Sequence, residues 1–71
     1  MMTKQQERDL HAKIRALYNQ ACHGAGAEPR REARRELDRI AATSADFTLG
    51  TIAMLNDLGL DIDAYFASRP L

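Results

Sequence analysis

The chain has 71 residues, of which 45% are hydrophobic and 28% charged, and its formal net charge at pH 7 is zero. A chain of this length forms one small domain and buries only about 60% of its unfolded surface, so its core is small. The balanced charge argues against the strongly basic composition that is typical of nucleic-acid-binding domains. The single cysteine rules out an internal disulfide.

The composition favours helices over strands, because valine is absent while Ala, Leu, Arg and Glu dominate. We therefore predict an all-α fold in which residues 1–71 form a single domain. It is a small bundle of three main helices at about 4–22, 29–42 and 45–58, followed by a short C-terminal helix at about 61–68. One cysteine and a polar N-terminal stretch lead us to expect a reducing, cytoplasmic setting and no membrane association.

The first helix is amphipathic. Thr3 and Gln6 have the spacing of a capping box that opens a helix. Apolar residues then follow at intervals of three and four along one face, with Tyr18 on its flank: Leu10, Ile14, Leu17 and Ala21. Gly24 is the predicted end of this helix.

The second helix has a narrow apolar face and a row of arginines on the other side. Pro29 suits its first turn, and Arg31, Arg35 and Arg39 fall within one sector directed away from the core. Three guanidinium groups at helical spacing could bind the phosphates of a nucleic acid. The alternative is a solvated helix with internal ion pairs between Glu32 and Arg35 and between Glu36 and Arg39.

The third helix lies in the stretch from Phe47 to Leu60, which is apolar on nearly every side. A helix of this kind is normally buried among other helices or packed against another chain. Gly50 interrupts it, and a glycine inside a helix costs about 1 kcal/mol relative to alanine. Two interpretations remain open: a neighbouring helix or a second subunit approaches the backbone closely at Gly50, or the first turn is irregular there.

Helix-terminating residues flank this stretch. Thr43, Ser44 and Asp46 are candidate N-terminal caps of the third helix. Gly59 can adopt the left-handed conformation that closes a helix. Asp61 then caps the short fourth helix.

The residues that could support catalysis or metal binding are few. Cys22 and His23 are adjacent, so on a helix their side chains point about 100° apart and cannot pair as nucleophile and base. His11 lies earlier in the same predicted helix, and nothing near it completes a triad or a metal site. We therefore expect neither an enzyme nor a bound cofactor or metal, and we expect Cys22 to be a half-buried apolar side chain.

The predicted function is protein–protein interaction, as a small regulator, adaptor or inhibitor of a larger protein. We expect the chain to act as a homodimer. The apolar surface exceeds what one small core can cover, and the predicted interface combines the outer side of the third helix with the stripe of the first: Leu49, Ile52, Ala53, Leu10, Ile14, Leu17 and Tyr18. The alternative function is a nucleic-acid-binding regulator that uses Arg31, Arg35 and Arg39.

Overall fold

Four α-helices account for most of the chain in a computed structural model that describes residues 3–42 and 47–69, with the side chains of 47–49 left out. They are α1 (Lys4–His23), α2 (Ala27–Ala41), α3 (Phe47–Asp57) and α4 (Ile62–Ala67). The predicted all-α bundle of three main helices and a short C-terminal one is confirmed. Every boundary lies within two residues of its predicted position.

The capping box at the start of α1 is present as predicted. The Thr3 hydroxyl oxygen accepts a hydrogen bond from the Gln6 backbone N–H at 3.1 Å, and the Thr3 N–H donates to the Gln6 side chain at 2.9 Å. At the other end, the Gly24 N–H donates to the carbonyl of Gln20 at 2.9 Å. These bonds satisfy backbone groups that a helix terminus would otherwise leave without partners.

The turn between α3 and α4 has the two hydrogen bonds of a Schellman motif. Leu60 N–H donates to Leu55 C=O and Gly59 N–H donates to Asn56 C=O, each at 3.0 Å. Gly59 has the predicted left-handed backbone, with φ of 72°. Asp61 then caps α4, because its carboxylate accepts from the Ala64 N–H at 3.1 Å. The N-terminal caps predicted for α3, Thr43, Ser44 and Asp46, lie outside the described residues.

Gly50 allows α3 to approach the end of α2 closely. A Cβ atom at this position would lie 3.3 Å from the carbonyl oxygen of Ala41 and 3.7 Å from its Cβ. Of the two interpretations of Gly50, close approach by a neighbouring helix is therefore the one observed. The small residue Ala41 on α2 completes the crossing, and it is buried.

The core lies mainly between α1 and α2. Among the described residues, α1 contributes four buried side chains and α2 three, whereas only Thr51 and Leu55 of α3 and Tyr65 of α4 are buried. Ile14, Leu37 and Leu55 are the largest side chains that are fully buried. Met54 of α3 packs against this core with one side and lines one of the clefts described below.

Within the described residues, no helix is both long enough and apolar enough to cross a membrane.

Candidate functional site

A mostly apolar cleft lies where α1, the end of α2 and α3 meet, and we call it the α1–α3 cleft. Its volume is about 340 Å³. Its main apolar lining consists of Leu10 and Ile14 of α1, Ile40 of α2, Met54 of α3 and Leu58, which directly follows α3. Except for Ile14, which is buried at its floor, these side chains are half-buried and pack against the core with one side.

The α1–α3 cleft brings together three of the seven predicted interface residues. Leu10, Ile14 and Ala53 all line it, and Ala53 is exposed at its edge. Ile14, however, is only 2% exposed, so it forms the floor of the cleft and offers little surface of its own. The cleft therefore retains Leu10 and Ala53 as accessible members of the predicted interface.

The other predicted interface residues lie elsewhere. The prediction that Tyr18 belongs to an exposed interface is wrong. Tyr18 is 8% exposed and belongs to the core, because its ring stacks on that of Tyr65. Leu17 is half-buried beside Pro29 in a shallow groove between α1 and α2. Ile52 lines a cleft on another side of α3. The side chain of Leu49 lies outside the described residues. The described members of the predicted interface thus do not form one continuous surface.

His11 of α1 and the carboxylate of Asp57 on α3 also line the α1–α3 cleft. Arg15 reaches from α1 towards the end of α3, where its Nη2 donates to the Leu58 carbonyl oxygen at 3.4 Å. The guanidinium of Arg15 therefore lies beside the end of α3, the helix whose last residue is Asp57.

A second cleft separates α3 from α4, and we call it the α3–α4 cleft. Ile52 and Phe66 supply its apolar surface, and Arg34, Arg69 and Asp38 its charged groups. Its volume is about 220 Å³. Phe66 is 44% exposed and is the large apolar side chain most open to solvent among the described residues.

Two arginines of α2 hold α4 in place. Arg30 donates to the carbonyl oxygens of Ala21, at 3.2 Å, and of Ser68. Arg34 donates to the Tyr65 carbonyl oxygen and to the Ser68 hydroxyl, the latter at 2.9 Å. Positive charge near the C-terminus of a helix is favourable, because the last carbonyl groups have no partner within the helix.

The contacts of Arg30 and Arg34 with α4 were not predicted from the sequence. Their i, i+4 spacing at the edge of the apolar face of α2 was the signal that could have indicated them. Nothing in that spacing identifies which backbone carbonyls the two guanidinium groups reach. Arg34 also stacks on the Tyr65 ring, with its Cζ 4.1 Å from the ring centroid. Its Nε is buried and has no hydrogen-bond partner among the described residues.

The two tyrosines pack together in the core. Their ring centroids lie 6.1 Å apart, and the Tyr18 hydroxyl donates to the Asp61 carbonyl oxygen at 2.8 Å. Burial raises the pKa of the Tyr18 hydroxyl, and the nearby Cys22 raises it further. Burial also raises the pKa of Tyr65, although the guanidinium of Arg34 opposes this shift in part. Both hydroxyls are therefore held in the neutral form.

The arginine row of α2 is exposed and paired with glutamates of its own helix. Arg35 lies 3.4 Å from Glu32, and Arg39 lies 2.7 Å from Glu36, as the internally paired alternative predicted. Arg35 and Arg31 also lie 3.5 and 3.8 Å from Glu28. Exposed pairs of this kind contribute little stability. The adjacent carboxylates nevertheless reduce the positive field that a nucleic acid would meet.

The residues considered for catalysis or metal binding do not assemble into a site in the described part of the chain. Cys22 has a free thiol and is 8% exposed, so it is buried more deeply than the half-buried position predicted. No three His, Cys, Asp or Glu side chains among the described residues lie close enough together to hold a metal ion.

Comparison with known proteins adds no functional assignment. The chain matches no protein-family model, and searches of curated proteins and of solved structures gave no significant match.

Proposed function

We propose that the protein is a non-enzymatic protein–protein interaction module that forms a homodimer through the α1–α3 cleft and serves as a regulator, adaptor or inhibitor of a larger protein. The observation that carries the proposal is the cleft itself. Half-buried Leu10, Met54 and Leu58 leave part of their apolar surface open in a cavity of about 340 Å³. Covering such surface with a second chain is favourable by about 25 cal/mol per Å² of apolar area removed from water.

A second copy of the chain offers opposite charges at the end of α3. A two-fold contact uses the same patch on both protomers, so residue i of one meets residue j of the other and the reverse. Because the guanidinium of Arg15 reaches the end of α3, where Asp57 lies, such a contact can place Arg15 of one protomer against Asp57 of the other twice. Electrostatic complementarity of this kind favours the correct partner and speeds association.

The size of the core also supports pairing. Ile14, Leu37 and Leu55 are the only large side chains that are fully buried in the described part of the protein. Domains this small commonly rely on a staple, a metal or a partner chain for stability. A single cysteine with a free thiol supports the cytoplasmic setting that we propose with this function.

Light scattering after size-exclusion chromatography tests the proposal with a matched pair of variants. Ala53 and Ala16 are both exposed in the middle of a helix, but only Ala53 borders the cleft. We expect Ala53→Lys to weaken the dimer by at least ten-fold, because it places a charge in an apolar contact, and Ala16→Lys to leave it unchanged. A wild-type chain that stays at 7.9 kDa at every concentration would refute the proposal.

A further inference from the structure

The α3–α4 cleft combines an exposed apolar surface with guanidinium groups in a small volume. Phe66 and Ile52 supply the apolar surface, and Arg34 and Arg69 the positive charge, within about 220 Å³. Arginine is enriched among the residues that dominate binding energy at protein interfaces, and phenylalanine is enriched at interfaces in general.

Arg34 is held in a fixed position at the cleft. Its guanidinium stacks on Tyr65 and donates to the Tyr65 carbonyl and to the Ser68 hydroxyl. A fixed charge loses little conformational entropy when a ligand binds beside it, which favours affinity. Arg69, in contrast, is exposed and therefore accessible to a ligand.

The charge of these two arginines is not neutralised by ion pairs in the described part of the protein. The arginines of the exposed row pair with glutamates, whereas neither Arg34 nor Arg69 forms an ion pair with a described residue. The acidic residue that lines the cleft is Asp38, and its Oδ1 accepts a hydrogen bond from Thr51 Oγ1 at 2.8 Å. The described lining thus carries two positive charges against one negative charge.

We propose that the α3–α4 cleft binds a segment of a partner protein in which a large apolar side chain lies next to a carboxylate. The apolar side chain covers Phe66 and Ile52. The carboxylate accepts hydrogen bonds from the guanidinium of Arg69, whose planar fork matches two carboxylate oxygens. The exposed apolar surface favours such a segment over a nucleic acid, whose phosphates would use only the arginines.

This inference goes beyond the homodimer and does not depend on it, because the α3–α4 cleft uses other residues than the α1–α3 cleft. Substitution of Ala53 tests the dimer and leaves the α3–α4 cleft intact. Substitution of Arg69 tests the peptide site and leaves the dimer contact intact. The two proposals therefore fail separately.

The test is a titration of the full chain, labelled with ¹⁵N, by two acetylated and amidated dipeptides, Phe-Glu and its neutral isostere Phe-Gln. We expect amide shifts at Ile52, Phe66 and Arg69, with Phe-Glu bound about three-fold more tightly than Phe-Gln, the size that one exposed ion pair can supply. Arg69→Gln should reduce the affinity for Phe-Glu to that for Phe-Gln, while Arg39→Gln, which removes a glutamate-paired arginine, should change neither. Phe66→Ala should weaken both peptides.

Three results would overturn the inference. One is equal affinity for the two dipeptides, and another is unchanged Phe-Glu affinity in Arg69→Gln. The third is the absence of saturable shifts around the α3–α4 cleft up to about 10 mM peptide, a concentration about ten times the Kd of about 1 mM that corresponds to about −4 kcal/mol. Arg69 is exposed, so its variant is expected to fold, and the wild-type amide spectrum provides the check.

Discussion

Single side chains decide how the shortest helix stays attached to the bundle. α4 has six residues, too few to be stable as an isolated helix in water. Arg34 connects it to α2 through two hydrogen-bond acceptors and the face of the Tyr65 ring. Because a hydrogen bond from a charged donor contributes more than a neutral one, Arg34 is expected to stabilise the fold more than the exposed arginines of α2 do.

Replacing Arg34 by glutamine should lower the free energy of unfolding by about 2 kcal/mol, because it removes the charged donor and the cation–π contact together. Arg35→Gln is the matched control on the same helix. It should cost at most about 1 kcal/mol, because Arg35 makes only exposed ion pairs. Urea unfolding followed by circular dichroism measures both. Equal losses in the two variants would contradict the role assigned to Arg34.

A second residue-scale prediction concerns Gly59, whose φ of 72° is unfavourable for residues with a Cβ atom. Gly59→Ala should reduce the free energy of unfolding by about 1 kcal/mol, because the left-handed backbone conformation is unfavourable for alanine. No atom lies within 4 Å of the added methyl group, so a steric clash does not contribute. Gly59→Asn should cost less, since asparagine tolerates this conformation better. Thermal unfolding of the two variants provides the comparison. A loss of unfolding free energy in Gly59→Asn as large as that in Gly59→Ala would argue against this explanation.

At the scale of elements, the sequence predicted which helices form but not which surfaces they cover. The capping box at Thr3, the turn at Gly59 and the cap at Asp61 are local signals, and local hydrogen bonds determine them. The helical wheel of α3 is apolar on most sides, so it could not indicate which side faces α1, α2 or α4. Only the packing shows that Ala53 borders one cleft and Ile52 another.

Tyr18 illustrates the same limit on α1. Its position on the flank of the apolar stripe predicted an exposed contact residue. In the bundle, however, α4 folds back over α1, and stacking on Tyr65 buries the ring. The spacing of residues along α1 holds no information about this long-range pairing.

The crossing of α2 and α3 leads to a prediction at Gly50. An alanine inside a helix is favoured over glycine by about 1 kcal/mol, but a Cβ at Gly50 would lie only 3.3 Å from the Ala41 carbonyl oxygen. We expect this contact to cancel the gain, so that Gly50→Ala leaves the free energy of unfolding unchanged or lower. The control is Asn56→Ala, at an exposed position of the same helix, which should gain about 0.5 kcal/mol. Stabilisation of Gly50→Ala by the full helix-propensity difference would show that the crossing has room to spare.

At the scale of the whole molecule, the buried tyrosines link folding to alkaline pH. A tyrosine whose pKa is higher in the folded state than in the unfolded state stabilises the folded state. This contribution to stability is complete at pH values below the unfolded-state pKa, which is about 10. This contribution is lost as the pH rises through the folded-state pKa, because the unfolded chain releases the proton first. Tyr18 and Tyr65 both shift in this direction, mainly because they are buried.

We therefore expect the free energy of unfolding to fall above about pH 10, with tyrosine ionisation and loss of helix occurring together. Ultraviolet absorbance and circular dichroism, recorded on the same samples, measure the two events. Tyr18→Phe should reduce the slope of stability against pH, since one of the two shifted groups is gone. Ionisation of both hydroxyls at the ordinary pKa while the helices remain intact would contradict the buried pair.

The proposed contact between two copies of the chain at the α1–α3 cleft can be observed in an isotope-filtered nuclear Overhauser experiment on a mixture of ¹³C-labelled and unlabelled protein. We expect magnetisation transfer between protomers at the methyl groups of Leu10, Met54 and Leu58, which line this cleft. A species of 7.9 kDa with no transfer between protomers would contradict it, as would transfer confined to Phe66 and its surroundings.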